Sequence, residues 1–297
     1  MKRRDVLKAG VALGALVNMP IARAKSLNFN FGVQLSTLTP QLMGDFEGTL
    51  AKVAEIGYRQ VEFSALGLLG RPAEYVAELL EKNGLTAPVG RAAPAFPENF
   101  AELSREEVMK FFRTRGHPDH LLENLKQGIR DAEVLGQKFI NLPALMPDRF
   151  QTMDQVKANI DLINQAGDLC AESGIQFGYH NHDWELKPIG DEIPYVRMLE
   201  ETDPEKVGFQ LDTYWIVKGG GDLSHYLSNY PGRFTTCHLK DIDDEGVFAD
   251  VGSGNIDFPA FIQQALASGT QYFFVERDGP PNPVQSVTNS YRYLSGL

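Results

Sequence analysis

At 297 residues the chain has room for one (β/α)8 barrel of roughly 250 residues plus a leader. Its 43% hydrophobic and 10% aromatic content can fill a large core, which excludes a disordered chain. A formal net charge of −11 excludes nucleic acid as the principal ligand, because phosphate-rich polymers are gripped by basic tracks.

The N-terminus stands apart from the rest. Lys2-Arg3-Arg4-Asp5-Val6-Leu7-Lys8 is basic with paired arginines, Ala9 to Ala22 is apolar, and Ala22-Arg23-Ala24 offers small residues for cleavage. The pattern resembles a twin-arginine export signal, which implies the twin-arginine translocase as a partner and a periplasmic or otherwise exported protein. The apolar stretch is too short and glycine-rich for a stable membrane anchor. Residues 1–24 are then a leader and 25–297 the folded domain, whose net charge without the leader is −15.

Beyond the leader, strands and helices alternate. Phe29–Leu35 is a first strand, and Phe46–Ile56 carries apolar residues at helical spacing before the stop at Gly57. Gln60–Phe63 is a second strand, followed by a helix over Ala73–Lys82. Thr86–Arg91 is a weak third strand interrupted by Pro88. Residues 92–104 form a Pro- and Ala-rich loop, and 105–135 is helical with a break near Gly116-His117-Pro118. Lys138–Leu142 is the fourth strand, and Met153–Ser173 an amphipathic helix.

The fifth to eighth strands are apolar runs that end in metal-binding residue types. They are Phe177–His182, Val207–Asp212, Phe234–His238 and Tyr272–Glu276, with helices over Pro194–Glu201, Leu223–Leu227, Phe258–Ala267 and Pro283–Leu294. Eight strands alternating with eight helical stretches, without a repeat or long linker, predict a closed parallel barrel. A doubly wound open sheet would also alternate, but the chain has neither a GxGxxG nor a GxxxxGK[ST] phosphate loop. The two cysteines, Cys170 and Cys237, fall in a helix and a strand, which predicts buried thiols; a disulfide between them is the alternative.

In a parallel barrel the C-terminal strand ends meet on one face. Asp212, His238 and Glu276 would converge there. Taken singly each has an ordinary explanation: a cap or salt bridge for Asp212, a hydrogen bond for His238, pairing with Arg277 for Glu276. For a fourth ligand the segment Tyr179–Glu185 offers His180, His182, Asp183 and Glu185. His180 lies closest to the strand proper, which leaves His182 and Glu185 to contact substrate. Two imidazoles and two carboxylates suit one divalent ion of manganese, cobalt, zinc or iron(II) better than calcium or magnesium.

These residues carry a family resemblance. Tyr179-His180-Asn181-His182-Asp183-Trp184-Glu185, Asp212-Thr213-Tyr214-Trp215, His238-Leu239-Lys240-Asp241, Val251-Gly252-Ser253-Gly254-Asn255-Ile256-Asp257-Phe258 and Glu276 resemble the xylose isomerase-like superfamily. Within it the match is to sugar phosphate isomerase/epimerases, over about residues 29–297. The resemblance implies a TIM barrel with one divalent metal at the ends of the last four strands, and ligand roles for Asp212, His238 and Glu276. His180 stands where better-known sugar isomerases and epimerases place a glutamate. Many relatives carry a histidine near the end of the third strand, where this chain has Pro88-Val89-Gly90-Arg91-Ala92.

A small-molecule sugar is the expected substrate. Gln34, Glu62, His182, Lys240 and Trp215 are expected to contact it, and Glu185 and Glu276 to move its α-proton. This predicts a metal-dependent isomerase or epimerase working through an enediolate. An acidic exported enzyme without a phosphate loop suits an unphosphorylated sugar. The same enolate chemistry on a 3-keto-glycoside would eject the glycosidic oxygen, so a lyase or hydrolase competes. A non-catalytic sugar-binding barrel is the alternative from another class, though binding alone needs no metal triad. A metallo-endonuclease would need extra histidines and a basic groove, and neither is evident.

Overall fold

The computed structural model describes residues 29–94 and 103–297. The expected leader over residues 1–24 lies outside them, as do residues 95–102 of the Pro- and Ala-rich loop. Eight parallel strands close into a barrel: β1 (Gly32–Gln34), β2 (Gln60–Glu62), β3 (Thr86–Arg91), β4 (Phe139–Leu142), β5 (Gln176–His180), β6 (Val207–Asp212), β7 (Phe234–Leu239) and β10 (Tyr272–Val275), which pairs back onto β1. The predicted (β/α)8 barrel is therefore the fold. Between β7 and β10, β8 (Asp241–Ile242) and β9 (Phe248–Ala249) form a small antiparallel pair that the sequence did not announce, each strand being only two residues long.

Helices surround the barrel largely where their periodicity put them. Phe46–Ile56, Ala73–Lys82 and Pro194–Glu201 have the predicted limits. The stretch 105–135 is split into Arg105–Arg115 and Leu121–Leu135 by a 3-10 turn at Pro118–His120. Met153–Ala171 starts with a capping box, in which Thr152 accepts from the Gln155 backbone and the Gln155 side chain accepts from the Thr152 backbone. Cys170 and Cys237 are free and buried. No helix among the described residues is long and apolar enough to cross a membrane.

Two-residue alternation along a strand decides what fills the barrel. Val89, Phe139 and Phe274 form an apolar plug separate from the main hydrophobic cluster, with Tyr272 packed on it. Gly32 in β1 is required by this plug, because a Cβ there would overlap the Phe274 ring. Two residues further along, the same inward parity gives Gln34, Arg91, Asn141 and Glu276. Asn141 bonds Thr236 across the barrel at 3.2 Å, and the interior turns polar above the plug. His180, Gln210, Asp212, His238 and Glu62 occupy this upper layer, all nearly or wholly buried.

Candidate metal centre

Parallel register sets Asp212 beside His238, and His180 beside Gln210. One ligand atom from each of His180, Asp212, His238 and Glu276 lies within 4.8 Å of the others. The four residues proposed from sequence thus come together in one cluster.

Asp212 shows how the cluster is left open. It ends β6 and caps the next helix (Thr213–Lys218), its Oδ1 accepting from the Trp215 backbone at 3.0 Å. Its Oδ2 is buried and has no hydrogen-bond partner among the described residues, 3.9 Å from His180 Nε2 and 3.7 Å from His238 Nδ1. A buried carboxylate oxygen without a partner is costly unless something positive sits beside it. Glu276 does not pair with Arg277, which instead reaches Asp250 at 2.5 Å. Glu276 Oε1 accepts from Ser36 Oγ at 2.8 Å, and Oε2 meets His238 Nδ1 at 2.9 Å and Lys240 Nζ at 3.1 Å.

Behind the cluster one carboxylate organises both imidazoles. Glu62 Oε2 accepts from His238 Nε2 at 2.5 Å, and Glu62 Oε1 accepts from Gln210 Nε2 at 2.8 Å. Gln210 Oε1 then accepts from His180 Nδ1 at 3.2 Å. The chain of donors leaves His180 Nε2 and His238 Nδ1 as the two nitrogens facing Asp212. Such outer partners fix tautomer and ring orientation at metal sites. Two oriented nitrogens and two carboxylates, one with an unpartnered oxygen, fit a divalent transition metal.

Burial lowers the pKa of His238, but Glu276 and Glu62 outweigh it and hold it well above its ordinary value. Burial, with His238 beside it, holds His180 well below. Burial raises the Glu276 carboxyl, but Lys240 and His238 outweigh it and keep it well below the carboxylate range. Lys240 is buried and bonds Asp278 at 2.6 Å; burial lowers its pKa, but Glu276, Asp212 and Asp278 raise it above its usual value. It stays charged.

The cluster opens into a cavity of about 280 Å3, lined by Gln34, Arg91, His182, Lys240 and Asp278 among others. A larger cavity of about 480 Å3 lies against Ala73 and Gln127 on the barrel flank, away from the four ligand residues. The expected substrate contacts divide. Gln34, His182 and Lys240 face the cavity. Glu62 does not: it is fully buried, and both its oxygens are committed. Trp215 stands behind, its ring 5.1 Å from that of His182 and 5.3 Å from Lys240 Nζ. Trp184 stacks on His182 at 4.2 Å and donates its indole N–H to Leu145 O at 3.0 Å, so both tryptophans brace His182.

Glu185 also departs from its expected position. After β5 the chain turns through a 3-10 helix, Trp184–Leu186, which swings Glu185 back into the protein. There its carboxyl takes a short hydrogen bond from Tyr179 and one of 3.0 Å from the His182 backbone. Burial pushes it up to about 8, and it is not among the residues that line the cavity. The sequence reading missed Asp278 and the role of Arg91, both of which line the cavity.

The Val251–Asp257 loop has a structural anchor. Asp241 Oδ2 accepts from the Gly252 and Gly254 backbones at 3.0 and 2.8 Å, and Oδ1 from Ile256 at 3.2 Å. This packs the loop against the start of β8, directly after the segment that carries His238 and Lys240.

Residues 50–295 match the family model described as the xylose isomerase-like TIM barrel. The chain belongs to that family. An inosose dehydratase from Geobacillus thermodenitrificans is 33% identical over 157 residues, 46% of this chain and 52% of that protein, so the match spans about half the relative's length. An inosose dehydratase from Geobacillus kaustophilus is 28% identical over 270 residues, 82% of each chain. Among solved structures, a sugar phosphate isomerase/epimerase from Parabacteroides distasonis superposes with a TM-score of 0.73 at 26% identity, covering 94% of this chain and 99% of that one. Family membership and the barrel are therefore established, and the barrel brings together four residues that could hold a metal ion.

Proposed function

We propose that this xylose isomerase-like barrel is a metal-dependent sugar isomerase or epimerase that removes the proton next to the carbonyl of an unphosphorylated sugar or sugar derivative. The observation that carries the proposal is the convergence of His180, Asp212, His238 and Glu276 within 4.8 Å beside a charged, buried Lys240. A divalent ion of manganese, cobalt, zinc or iron(II) held there would draw electron density from a substrate carbonyl and acidify the neighbouring C–H.

The remaining work falls to side chains. Glu276 is the carboxylate at the cavity that can take the proton, since Glu185 is buried away from it. Lys240 Nζ donates to the oxygen on which negative charge develops. His182, held between two tryptophans, is kept neutral, burial and the nearby Lys240 lowering it to about 3, and it offers hydrogen bonds rather than charge. Around the cavity Glu62, Asp212, Glu276 and Asp278 face Arg91 and Lys240; with a divalent ion these charges balance, which supports a neutral substrate rather than a phosphate.

The second reading is elimination. The relatives named inosose dehydratase favour it, because the same enolate can expel a β-hydroxyl as water or, from a 3-keto-glycoside, the glycosidic oxygen. A purified protein supplied with manganese, cobalt or zinc and incubated in deuterated water with ketoses, aldoses, an inosose and 3-keto-glycosides separates the readings. Label retained on a rearranged sugar supports the isomerase or epimerase; label with loss of water or aglycone supports elimination. Turnover without solvent label at any carbon would rule out proton transfer in favour of hydride shift. A protein that binds sugars but no metal would be a binding barrel.

Export through the twin-arginine route is proposed from Lys2-Arg3-Arg4-Asp5. Replacing Arg3 and Arg4 by lysine should trap precursor in the cytoplasm, and normal export of that variant would refute it.

A further inference from the structure

The charged groups of the metal-side cavity are unevenly exposed. Among the described residues that line it, Arg91, Lys240, Glu276 and Asp278 carry a guanidinium, an ammonium or a carboxylate. The first three side chains are buried, whereas 45% of the Asp278 side chain is exposed. Asp278 follows β10 on a pinned segment: the Arg277 backbone N–H donates to Thr37 Oγ1 at 3.0 Å, and the Arg277 guanidinium turns away to Asp250. Asp278 Oδ2 lies 2.6 Å from Lys240 Nζ.

Each cation of the cavity wall has a carboxylate partner. Arg91 pairs with Glu62 at 3.2 Å. Lys240 Nζ meets Glu276 Oε2 at 3.1 Å and lies 3.8 Å from Asp212 Oδ2. Asp212 and Glu276 belong to the proposed metal set, where a divalent ion would offset their two charges. Asp278 is then the counter-charge left to Lys240, and it stands on the side open to solvent.

We propose that Asp278 excludes anions from this cavity and so confines its ligands to uncharged polyhydroxy compounds. Its carboxylate faces entering groups with a like charge, and it covers the ammonium that would otherwise draw an anion in. Lys240 keeps one of its three donors beyond those used by Glu276 and Asp278, enough for a substrate oxygen. Gln34, Ser36, Thr39 and Ser64 supply the neutral polar groups of the same wall, which suit hydroxyls. The inference rests on the proposed metal-dependent sugar chemistry and names the residue that sets the substrate's charge class.

The test measures binding, not turnover. Manganese affinity is determined first. Manganese-loaded wild type, Asp278→Asn and Asp278→Ser are then titrated at pH 8 with two pairs of probes, xylitol with xylonate and myo-inositol with inositol 1-phosphate. Asp278→Glu keeps the charge, and Glu78→Gln removes one from an exposed position on the helix Ala73–Lys82. Wild type and Asp278→Glu should bind the neutral member of each pair more tightly. Asp278→Asn and Asp278→Ser should raise the anion-to-neutral affinity ratio by about ten- to a hundredfold. Glu78→Gln should change it by less than about twofold. An unchanged ratio in both charge-removing variants at 278 overturns the inference. So does equal or tighter anion binding by wild type, the same rise in Glu78→Gln, or no probe bound by loaded wild type. Failure of wild type to take up manganese, read before any probe is added, removes the functional reading and the inference with it.

Discussion

Glu62 and His238 meet at 2.5 Å between Oε2 and Nε2, through the ring nitrogen that does not face Asp212 and Glu276. The other Glu62 oxygen governs His180 through Gln210. One buried carboxylate therefore sets the orientation of both histidines. Glu62→Gln keeps the volume but offers one acceptor where two are used. We expect metal affinity to fall by about ten- to a hundredfold with the barrel still folded. Titration with a chromophoric chelator competitor measures this, and wild-type affinity in the variant would reduce the network to packing.

Asp212 has two duties that substitution can separate. Asparagine can still cap the following helix through its oxygen but brings no charge, whereas alanine loses both. Asp212→Asn should lose metal, and its Tm should fall less than that of the alanine variant, because the cap is kept while the ion contacts with Lys240 and His238 are lost in both. Asp212→Ala should lose metal and also about 1 kcal/mol of cap stability. Melting curves of both proteins in chelator provide the check; equal destabilisation would mean the cap contributes nothing.

Much of this site was legible because inward parity is a property of sequence. His180, Asp212, His238 and Glu276 each end an apolar run, and in a closed barrel such ends have one place to meet. What stayed hidden depended on the chain's path after the strand. Glu185 and Trp215 lie in turns that begin immediately after β5 and β6, and nothing in their spacing shows that the first turns inward and the second backs Lys240. Glu62 looked like a substrate contact because depth within a barrel is not encoded by parity. Arg91 was obscured by Pro88 and Gly90 in a weak strand, and Asp278 by its place in a loop beyond β10.

Glu185 should leave a mark on stability. Its folded pKa of about 8 lies above the unfolded value of about 4.3, so between these limits the folded state binds more protons than the unfolded one. Stability from this group is complete below about pH 4.3 and is lost as pH rises through about 8. Glu185→Gln cannot titrate. Its stability relative to wild type should rise across that window, by an amount on the order of a few kcal/mol, and then level off. Urea unfolding from pH 5 to pH 9 reads the difference, and parallel curves for the two proteins would contradict it.

Lys240 separates binding from chemistry. Its ammonium lies 3.1 Å from Glu276, 3.8 Å from Asp212 and 2.6 Å from Asp278, with the rings of Trp215 and Phe248 at 5.3 and 5.0 Å. Since these carboxylates hold it charged, it is a donor and not a base. Lys240→Met removes that donor while leaving every residue of the proposed metal set in place. Losing a cation beside Asp212 and Glu276 should leave metal affinity equal or higher. Solvent-deuterium exchange into the true substrate should fall by about two to three orders of magnitude, the scale of a lost oxyanion donor. The protein must be compared metal-loaded, because without the ion Asp212, Glu276 and Asp278 have lost the one cation they share. Exchange at the wild-type rate in a fully metal-loaded Lys240→Met would show that charge on the substrate oxygen is met elsewhere, and the assignment of Lys240 would fail.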